Sequence, residues 1–309
     1  MQFGGLATKS SASLSLPQYL KHMRKISACG SARPAGRPPN VPIDEAALTP
    51  DCSQRDIANA LRENYKSQTP LLVTGAFAKS DPIYLWKSRE YLRAAVGEHT
   101  LCNVEIGLSY NDPNSERPEI SFGEYLLYLQ MFEDKYPQEQ GEENKADPPS
   151  DELIYLAQND LFRGLRNDLP IPSLCKDKSY GVGTGKLYGV NFWMGPSGVT
   201  TPLHYDPLDN LLLQFVGKKK VILFPKSETH GAGHEQEVAW YYTGTDGGQY
   251  NTSAVDVEAP DLVRHPLFAE APPAIECALS PGDALFIPSK WWHHVRSLDS
   301  SISANVWWR

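Results

Sequence analysis

Apolar residues recur at helical spacing in the first half of the chain, and short apolar runs separate these stretches. Two stretches open with a serine followed three residues later by an acid, at Ser53-x-x-Asp56 and Ser121-x-x-Glu124. This spacing is a capping box, in which each side chain accepts a hydrogen bond from the other residue's backbone N–H at the start of a helix. A third helix is predicted over Ser88–Val96, where Gly97 supplies the stop. Buried strands are predicted at Leu71–Thr74 and Leu101–Ile106.

The pattern changes after Tyr180. From there the chain consists of short segments rich in β-branched and aromatic residues, separated by turns of Gly, Pro, Asn and Asp. This pattern predicts a mainly β fold, an antiparallel sandwich or barrel such as a jelly roll. We therefore expect three parts: a basic arm at 1–43, an α/β extension at 44–180 and a β-rich core at 181–309.

Charge is distributed unevenly along the chain. The 309 residues include 29 Lys and Arg against 37 Asp and Glu, a formal net charge of −8. Residues 1–42 carry six basic residues and no acid, so the remainder stands at −14. Because phosphate binding depends on Lys and Arg, this acidity disfavours nucleic acid as a partner of the folded part.

Two biased stretches and the cysteines bear on location. The serine-rich basic arm has the composition of an organelle transit peptide, although Leu14–Lys25 could instead form a short basic helix. The acidic stretch Glu133–Glu152 is predicted to be a solvated loop. Five scattered cysteines without C-x-x-C spacing indicate a reducing compartment. No run reaches the roughly 20 apolar residues of a membrane helix. We expect an intracellular protein, cytoplasmic or nuclear, with organelle import left open.

The candidate chemistry lies in the β-rich part. His204 and Asp206 are two residues apart on a predicted strand, so their side chains share one face. A second source of imidazole is Trp291-Trp292-His293-His294, where strand alternation lets only one histidine face inward. Two histidines and one carboxylate form the facial triad of non-haem Fe(II), whereas zinc more often recruits a third His or a Cys. Ordinary polar residues at a strand end are the alternative.

The run Lys218-Lys219-Lys220 supplies independent support. If the outer two lysines are solvated, Lys219 faces the interior, where an ammonium needs an anionic partner. A carboxylate of 2-oxoglutarate would provide one, while a basic turn with three solvated lysines is the alternative. Thr201 and Asn210 flank the His/Asp pair and could bind the same carboxylate, or could be plain strand and turn residues.

Several segments resemble the jumonji C-type 2-oxoglutarate oxygenases. They include NFWMGPSGVTTPLHYDPLDNLLLQFVGKKKVILF, NTSAVDVEAPDL, SPGDALFIPSKWWHHVRSL and NVWW. The chain most resembles the small hydroxylase branch typified by jumonji domain-containing protein five, which IYLAQNDLF also matches. The resemblance spans about 101–309. It implies a cupin-like double-stranded β-helix, or jelly roll, with Fe(II) and 2-oxoglutarate as cofactors.

The resemblance also implies roles for single residues. The matching iron ligands are His204, Asp206 and His293, the last because the family's ligand directly follows the aromatic pair. The matching co-substrate contacts are Tyr155, Thr201, Asn210, Lys219 and Asn305, with Lys219 on the far carboxylate. The matching substrate contacts are Glu105, Tyr110 and Gln158, with Trp193 and Trp307 as walls of the pocket.

The implied activity is hydroxylation of a protein side chain, with arginine preferred because a carboxylate at Glu105 suits a guanidinium. In this reaction 2-oxoglutarate and O2 become succinate and CO2. Lysine demethylation, hydroxylation of a modified tRNA base and a non-catalytic scaffold are the alternatives. Segment 226–250 departs from the branch. There His230 and His234 are predicted to be solvated or to bind a second metal.

Overall fold

The structure is a computed structural model that describes residues 38, 40–49, 52–77, 81–107, 117–137, 149, 152–169, 173–226, 240–243 and 250–309. In these ranges the α-helices are α1 (Gln54–Ser67), α2 (Arg89–Val96) and α3 (Phe122–Lys135). The strands before the core are β1 (Asn40–Val41), β2 (Asp44–Ala47), β3 (Leu71–Thr74), β4 (Leu101–Asn103), β5 (Glu105–Ile106), β6 (Glu119–Ser121) and β7 (Ile154–Asp160). The later strands are β8 (Leu187–Gly195), β9 (Thr200–Tyr205), β10 (Asp209–Val216), β11 (Lys219–Phe224), β12 (Ala274–Leu279), β13 (Ala284–Ile287), β14 (Trp292–Ser297) and β15 (Ser301–Trp308).

Two large sheets contain most of these strands. The five-stranded sheet has the order β1-β12-β11-β14-β9, and the eight-stranded sheet has the order β2-β3-β13-β10-β15-β8-β7-β5. From β9 onward the chain crosses repeatedly between the two sheets, and these later strands pair antiparallel with one another. Such crossing produces a double-stranded β-helix, so the mainly β jelly-roll prediction is confirmed.

The space between the sheets is apolar at one end and polar at the other. Val221, Leu223 and Leu285 contribute to a buried apolar cluster that joins both sheets. Along β11 the inward positions alternate in steps of two, so the series that contains Val221 and Leu223 begins at Lys219. The sheets therefore close a polar pocket over a dry core.

The three helices lie on the outer side of the eight-stranded sheet, and they begin where the sequence predicts. Ser53 and Asp56 form the capping box of α1, and Ser121 and Glu124 form that of α3. Their buried faces share one apolar cluster with the helix-facing side chains of β8, β10 and β15. No helix in the described ranges is long and apolar enough to cross a membrane.

The structure corrects the prediction of one strand over Leu101–Ile106. This segment is two short strands separated by Val104, whose side chain is buried. The two strands have different partners, because β4 pairs with β6 while β5 pairs with β7. Local sequence does not specify this change of partner.

The structure also moves the bounds of the two charged stretches. Helix α3 continues into the predicted acidic loop as far as Lys135, where Lys135 pairs with Glu152 at 2.7 Å. Residues 40–41 of the predicted arm form β1, which pairs in parallel with β12. Residues 1–37 of the arm, which include Leu14–Lys25, and the loop residues 138–148 lie outside the described residues.

A cluster of ions covers the outer face of the five-stranded sheet. The Glu258 carboxylate lies 3.1 Å from the Lys220 ammonium, 3.2 Å from His294 Nε2 and 3.2 Å from the Arg296 guanidinium. Burial alone raises the pKa of Glu258, but the three neighbouring bases together hold it well below its usual range. Through these ion pairs Glu258 holds the end of segment 250–258 against β11 and β14.

We expect Glu258→Gln to lower the free energy of unfolding at pH 7 by about 2–3 kcal/mol, because it removes the carboxylate shared by the buried His294 and the half-buried Lys220 and Arg296. A carboxyl with a depressed pKa stabilises the fold above the ordinary value of 4.5, and this contribution is lost as the pH falls. The difference from wild type in urea unfolding should therefore shrink below about pH 4.5.

Glu63→Gln is the control, since Glu63 pairs with Lys66 on an open helix surface where both side chains are more than half exposed. We expect no measurable change in its urea midpoint. An equal loss of stability in the two variants would show that the Glu258 cluster contributes no more than a surface pair.

Candidate active site

Two histidines face each other across neighbouring strands at the polar end of the pocket. In the pairing of β9 with β14, His204 lies directly opposite His293, and their ring centroids are 4.1 Å apart. Asp206 follows the end of β9, and its Oδ2 lies 3.7 Å from His293 Nε2. One ligand atom from each of the three residues lies within 4.8 Å of the others. The spacing predicted from the sequence thus brings two imidazoles and one carboxylate together.

Backbone carbonyls fix the tautomer of both histidines. His204 Nδ1 lies 2.8 Å from the carbonyl oxygen of Pro202, and His293 Nδ1 lies 3.0 Å from that of Trp291. Because a carbonyl oxygen only accepts, each Nδ1 carries the proton and each Nε2 keeps its lone pair. Burial, and then the neighbouring His204, lower the pKa of His293 to about 4. Burial therefore favours the neutral form of His293, the form that a metal ligand requires.

His294 points away from this group. It follows His293 on β14, so alternation turns its ring to the outer face, where it meets Glu258. The prediction that only one of the two histidines faces inward is confirmed, and that one is His293.

Lys219 is buried in the same pocket. Its side chain is 2% exposed, and its Nζ donates to Ser303 Oγ at 2.8 Å and to Tyr155 Oη at 3.2 Å. No carboxylate of the described residues pairs with it, and burial lowers its pKa to about 7. Lys218 is exposed and Lys220 joins the Glu258 cluster, so the alternation predicted for the three lysines is confirmed. A buried ammonium without an acid is a site for an anion.

The triad and Lys219 open into one cavity of about 170 Å³, hereafter the cavity. The structure brings most of the predicted site residues to its wall. Those predicted as co-substrate contacts are Tyr155, Thr201, Asn210, Lys219 and Asn305, and those predicted as substrate contacts or pocket walls are Gln158, Trp193 and Trp307. Leu212, Val295 and Pro202 fill the spaces between them.

Some polar atoms in the cavity are oriented by hydrogen bonds, and others have no hydrogen-bond partner among the described residues. Trp193 Nε1 donates to Asn305 Oδ1 at 2.7 Å, and an indole can only donate. The amide of Asn305 is therefore held with its oxygen on Trp193 and its NH2 group free for another acceptor. The buried Asn210 Oδ1 and Trp307 Nε1 have no hydrogen-bond partner among the described residues. Such open polar groups in a concave pocket suit a polar ligand.

Glu105 lies beside the cavity and does not line it. It pairs in register with Tyr155, so the two side chains share one face of the sheet. Burial raises the pKa of Glu105, while Arg117, whose Nη2 lies 3.5 Å away, lowers it. Tyr110 and the loop residues His230, His234 and Glu237 lie outside the described residues.

Sequence reasoning missed one wall of the cavity. Asn251 and Thr252 line it, and Thr252 forms an isolated bridge with His204. The Asn251 side-chain amide and main-chain oxygen both bond the backbone of Tyr205, at 3.1 and 3.0 Å. These contacts join residues 46 positions apart, so a local sequence pattern does not predict that Asn251 and Thr252 line the cavity.

A jelly roll with two inward histidines and one carboxylate at its polar end defines a cupin-like metal site. The family model described as "Cupin-like domain" matches residues 58–309. The chain belongs to this family.

Three of its relatives illustrate the range of names in the family. "Lysine-specific demethylase JMJ30" of Arabidopsis thaliana is 35% identical over 80% of this chain and 52% of its own length. "Jumonji C domain-containing protein 5" of Drosophila melanogaster is 29% identical over 79% of this chain and 55% of its length. "tRNA wybutosine-synthesizing protein 5" of Homo sapiens is 31% identical over 53% of this chain and 44% of its length. The chain spans about half the length of these curated relatives.

Within the cupin-like family the chain is a JmjC protein of the small branch, a group that uses Fe(II) and 2-oxoglutarate. The residues present fit both groups. Two imidazoles and a carboxylate suit Fe(II), and they offer no thiolate of the kind that zinc sites often add. The unpaired Lys219 ammonium suits a carboxylate, and the open atoms of Asn210 and Trp307 suit a polar co-substrate.

We expect His293→Ala to weaken Fe(II) binding by more than about 100-fold, because it removes one of three ligands from a preformed site. His294→Ala should keep an affinity close to wild type, since this ring faces the Glu258 cluster. Anaerobic calorimetric titration with Fe(II) distinguishes the two variants. Equal losses in both would contradict the inward assignment of His293.

Proposed function

We propose that this chain is an Fe(II)- and 2-oxoglutarate-dependent oxygenase that hydroxylates a cationic side chain of a protein, with arginine as the preferred residue. One observation carries the proposal: a buried ammonium without an acid and a group of two histidines and one aspartate open into the same cavity. A dicarboxylic co-substrate that also chelates a metal would satisfy both at once.

In this proposal His204, Asp206 and His293 hold the iron. When bound, iron and 2-oxoglutarate supply the oxidation of a C–H bond to an alcohol, in which O2 is consumed and 2-oxoglutarate becomes succinate and CO2. The protein contributes fixed ligands, because the Nδ1–H groups of both histidines are already held by backbone carbonyls.

Lys219, Ser303 and Tyr155 orient the far carboxylate of the co-substrate. The two hydrogen bonds from Lys219 Nζ to Ser303 and Tyr155 hold the ammonium in place and leave its third N–H for the ligand. Thr201 and Asn210 stand on the adjoining strands and complete the polar lining. The amide NH2 of Asn305 is available to an acceptor near the iron-bound end.

The walls of the cavity exclude water from the reacting centre. Trp193 packs against Tyr155 with ring centroids 5.7 Å apart, and Trp307 lies on the neighbouring strand β15. A small concave cavity limits the access of solvent to an oxidising site and strengthens its electrostatic interactions. The target side chain must then enter past Gln158 and these two indoles.

Glu105 supports a cationic target. Its carboxylate is largely buried, lies next to Tyr155, and already attracts the Arg117 guanidinium from 3.5 Å. A carboxylate in this position would accept paired hydrogen bonds from a substrate guanidinium. The net charge of −14 outside the basic arm also favours a cationic peptide.

Hydroxylation of a modified tRNA base is the second candidate, because one relative is named tRNA wybutosine-synthesizing protein 5. The acidity of the chain outside its arm opposes this candidate, since RNA binding depends on basic residues. Lysine demethylation is the third, because another relative is named a lysine-specific demethylase. The two are distinguished by RNA binding that strengthens as salt falls and by formaldehyde released from methyl-lysine peptides.

The test incubates the protein with Fe(II), 2-oxoglutarate, ascorbate and a set of arginine, lysine and methyl-lysine peptides. We expect succinate together with an arginine peptide heavier by one oxygen, in equal amounts. The control is His204→Ala, which loses a ligand of the proposed iron site. Succinate formation by this variant at the wild-type rate would sink the oxygenase proposal.

Glu105→Gln tests the recognition of the substrate separately from the oxidation of 2-oxoglutarate. We expect it to lower kcat/KM for an arginine peptide about tenfold to 100-fold, because a neutral amide replaces a charge-assisted pair. The slow conversion of 2-oxoglutarate without peptide should stay as in wild type. An unchanged kcat/KM would reject Glu105 as the recognition residue.

Lys219 gives 2-oxoglutarate binding a pH dependence. The pKa of its buried ammonium is about 7 without an anion beside it, and a bound carboxylate favours the charged form, so binding takes up a proton above that pH. We expect Kd to rise by up to about tenfold per pH unit above about pH 7, measured by anaerobic calorimetry with Fe(II) present. Lys219→Arg should flatten this rise, because a guanidinium stays charged. A wild-type slope retained by Lys219→Arg would place the titrating group elsewhere.

A further inference from the structure

Strand β7 contains one extra residue beside the cavity. Leu156 lies opposite Met194 of β8, but Asn159 lies opposite Phe192, so three steps along β7 match two along β8. The extra residue falls at Ala157–Gln158, and Gln158 has a φ of 49°, in the left-handed region. This is a β-bulge, which occurs at sites where a strand must redirect a side chain.

The bulge determines which face of the sheet Gln158 occupies. In a regular strand Gln158 would share the face of Leu156, which is buried in the cluster beneath the helices. With the extra residue it shares the face of Tyr155 and lines the cavity. The position of a proposed substrate contact thus depends on a backbone irregularity.

The side chain of Asn159 closes this irregularity. Its Nδ2 donates to the carbonyl of Asn103 at 2.8 Å and to that of Ala157 at 3.0 Å, and its Oδ1 accepts from the N–H of Asn103 at 3.0 Å. Continuing the ladder of Glu105 with Tyr155 without a bulge would place Asn103 opposite Ala157. The bulge takes away the strand partner that the backbone of Asn103 would have had. The side-chain amide of Asn159 bonds the N–H and the carbonyl of Asn103 in its place.

We propose that Asn159 is a positioning residue that holds Gln158 and Glu105 at a fixed spacing and so sets substrate selection. Asn159 follows Gln158 directly, and its partner Asn103 lies two residues before Glu105. Asn159 itself is 8% exposed and does not line the cavity, so it acts only through these neighbours. The inference rests on the proposed function for the roles of Gln158 and Glu105, but the hydrogen bonds of Asn159 are independent of it.

The test compares Asn159→Asp with Asn64→Asp. Asn159→Asp keeps the shape and the acceptor but loses both donated hydrogen bonds and sets a carboxylate beside two carbonyls. Asn64 is the control away from the cavity: on α1 its Nδ2 also bonds a backbone carbonyl, that of Pro70, and it donates to the Asp44 carboxylate of β2 as well. Each variant is measured by amide hydrogen exchange and by kinetics on an arginine peptide.

For Asn159→Asp we expect amide exchange to quicken about tenfold in both 101–107 and 154–160. A change of this size corresponds to the net contribution of about one hydrogen bond. We expect KM for the arginine peptide to rise about tenfold to 100-fold. The KM for 2-oxoglutarate and its turnover without peptide should stay within about twofold, a result that general unfolding would not give. Asn64→Asp should quicken exchange around α1 and β2, because it sets a carboxylate against Asp44, and it should leave both KM values and exchange in 101–107 unchanged.

Gln158→Gly is a second variant that keeps the proposal testable if Asn159→Asp does not fold. Glycine adopts a left-handed backbone without strain, so the bulge and the Asn159 bonds should persist after the side chain is gone. We expect a raised peptide KM with unchanged exchange in 101–107.

Unchanged exchange in 101–107 for Asn159→Asp would overturn the inference, and so would faster exchange with an unchanged peptide KM. If Asn159→Asp does not fold, quickened exchange in 101–107 for Gln158→Gly would overturn it as well. If the wild-type enzyme converts no arginine peptide at all, the proposed substrate is wrong, and the exchange data still decide whether Asn159 joins the two segments.

Discussion

A single buried ammonium constrains the whole site. Lys219 lies between two sheets with two neutral oxygens, those of Ser303 and Tyr155, as its hydrogen-bond acceptors and no described carboxylate as its partner. Such a charge opposes folding until an anion joins it. Lys218 precedes β11 and is exposed, and alternation along β11 turns Lys220 to the outer face against Glu258, so only the middle lysine is buried without an acid. The apolar cluster around Val221 and Leu223 supplies the burial that keeps it there.

The geometry of the proposed metal site follows from strand pairing. His204 and His293 are opposite each other in register. Each Nδ1 donates to the backbone carbonyl two residues before it in the sequence, that of Pro202 or of Trp291. The strand thus sets position and tautomer together, before any metal arrives. On the outer face of the same strand, His294 and Arg296 pair with Glu258. These ion pairs hold β14 to the segment that begins with Asn251 and Thr252, which line the cavity.

Features encoded by near neighbours could be predicted from the sequence. The capping boxes at Ser53 and Ser121, the strand at Leu71–Thr74 and the alternation around Lys219 depend on contacts within a few residues, and the structure has them all. The break at Val104, the bulge before Asn159 and the wall formed by Asn251 depend on which distant strand lies alongside. Alternation allows one of His293 and His294 to face inward, but only the register of β14 with β9 decides which. The resemblance to JmjC proteins supplied the choice of His293 in advance, whereas composition and spacing did not.

The central claim is that the triad and Lys219 form one site for iron and 2-oxoglutarate together. Anaerobic titration of the protein with Fe(II) and 2-oxoglutarate, followed by visible absorbance, tests it most directly, because chelation of the keto acid by Fe(II) produces a charge-transfer band. The band should appear only when both are present and saturate at one of each per chain. Lys219→Met should then need far more 2-oxoglutarate to reach the same intensity. Absence of the band in the wild-type protein, or saturation of Lys219→Met at the wild-type concentration, would contradict a shared site.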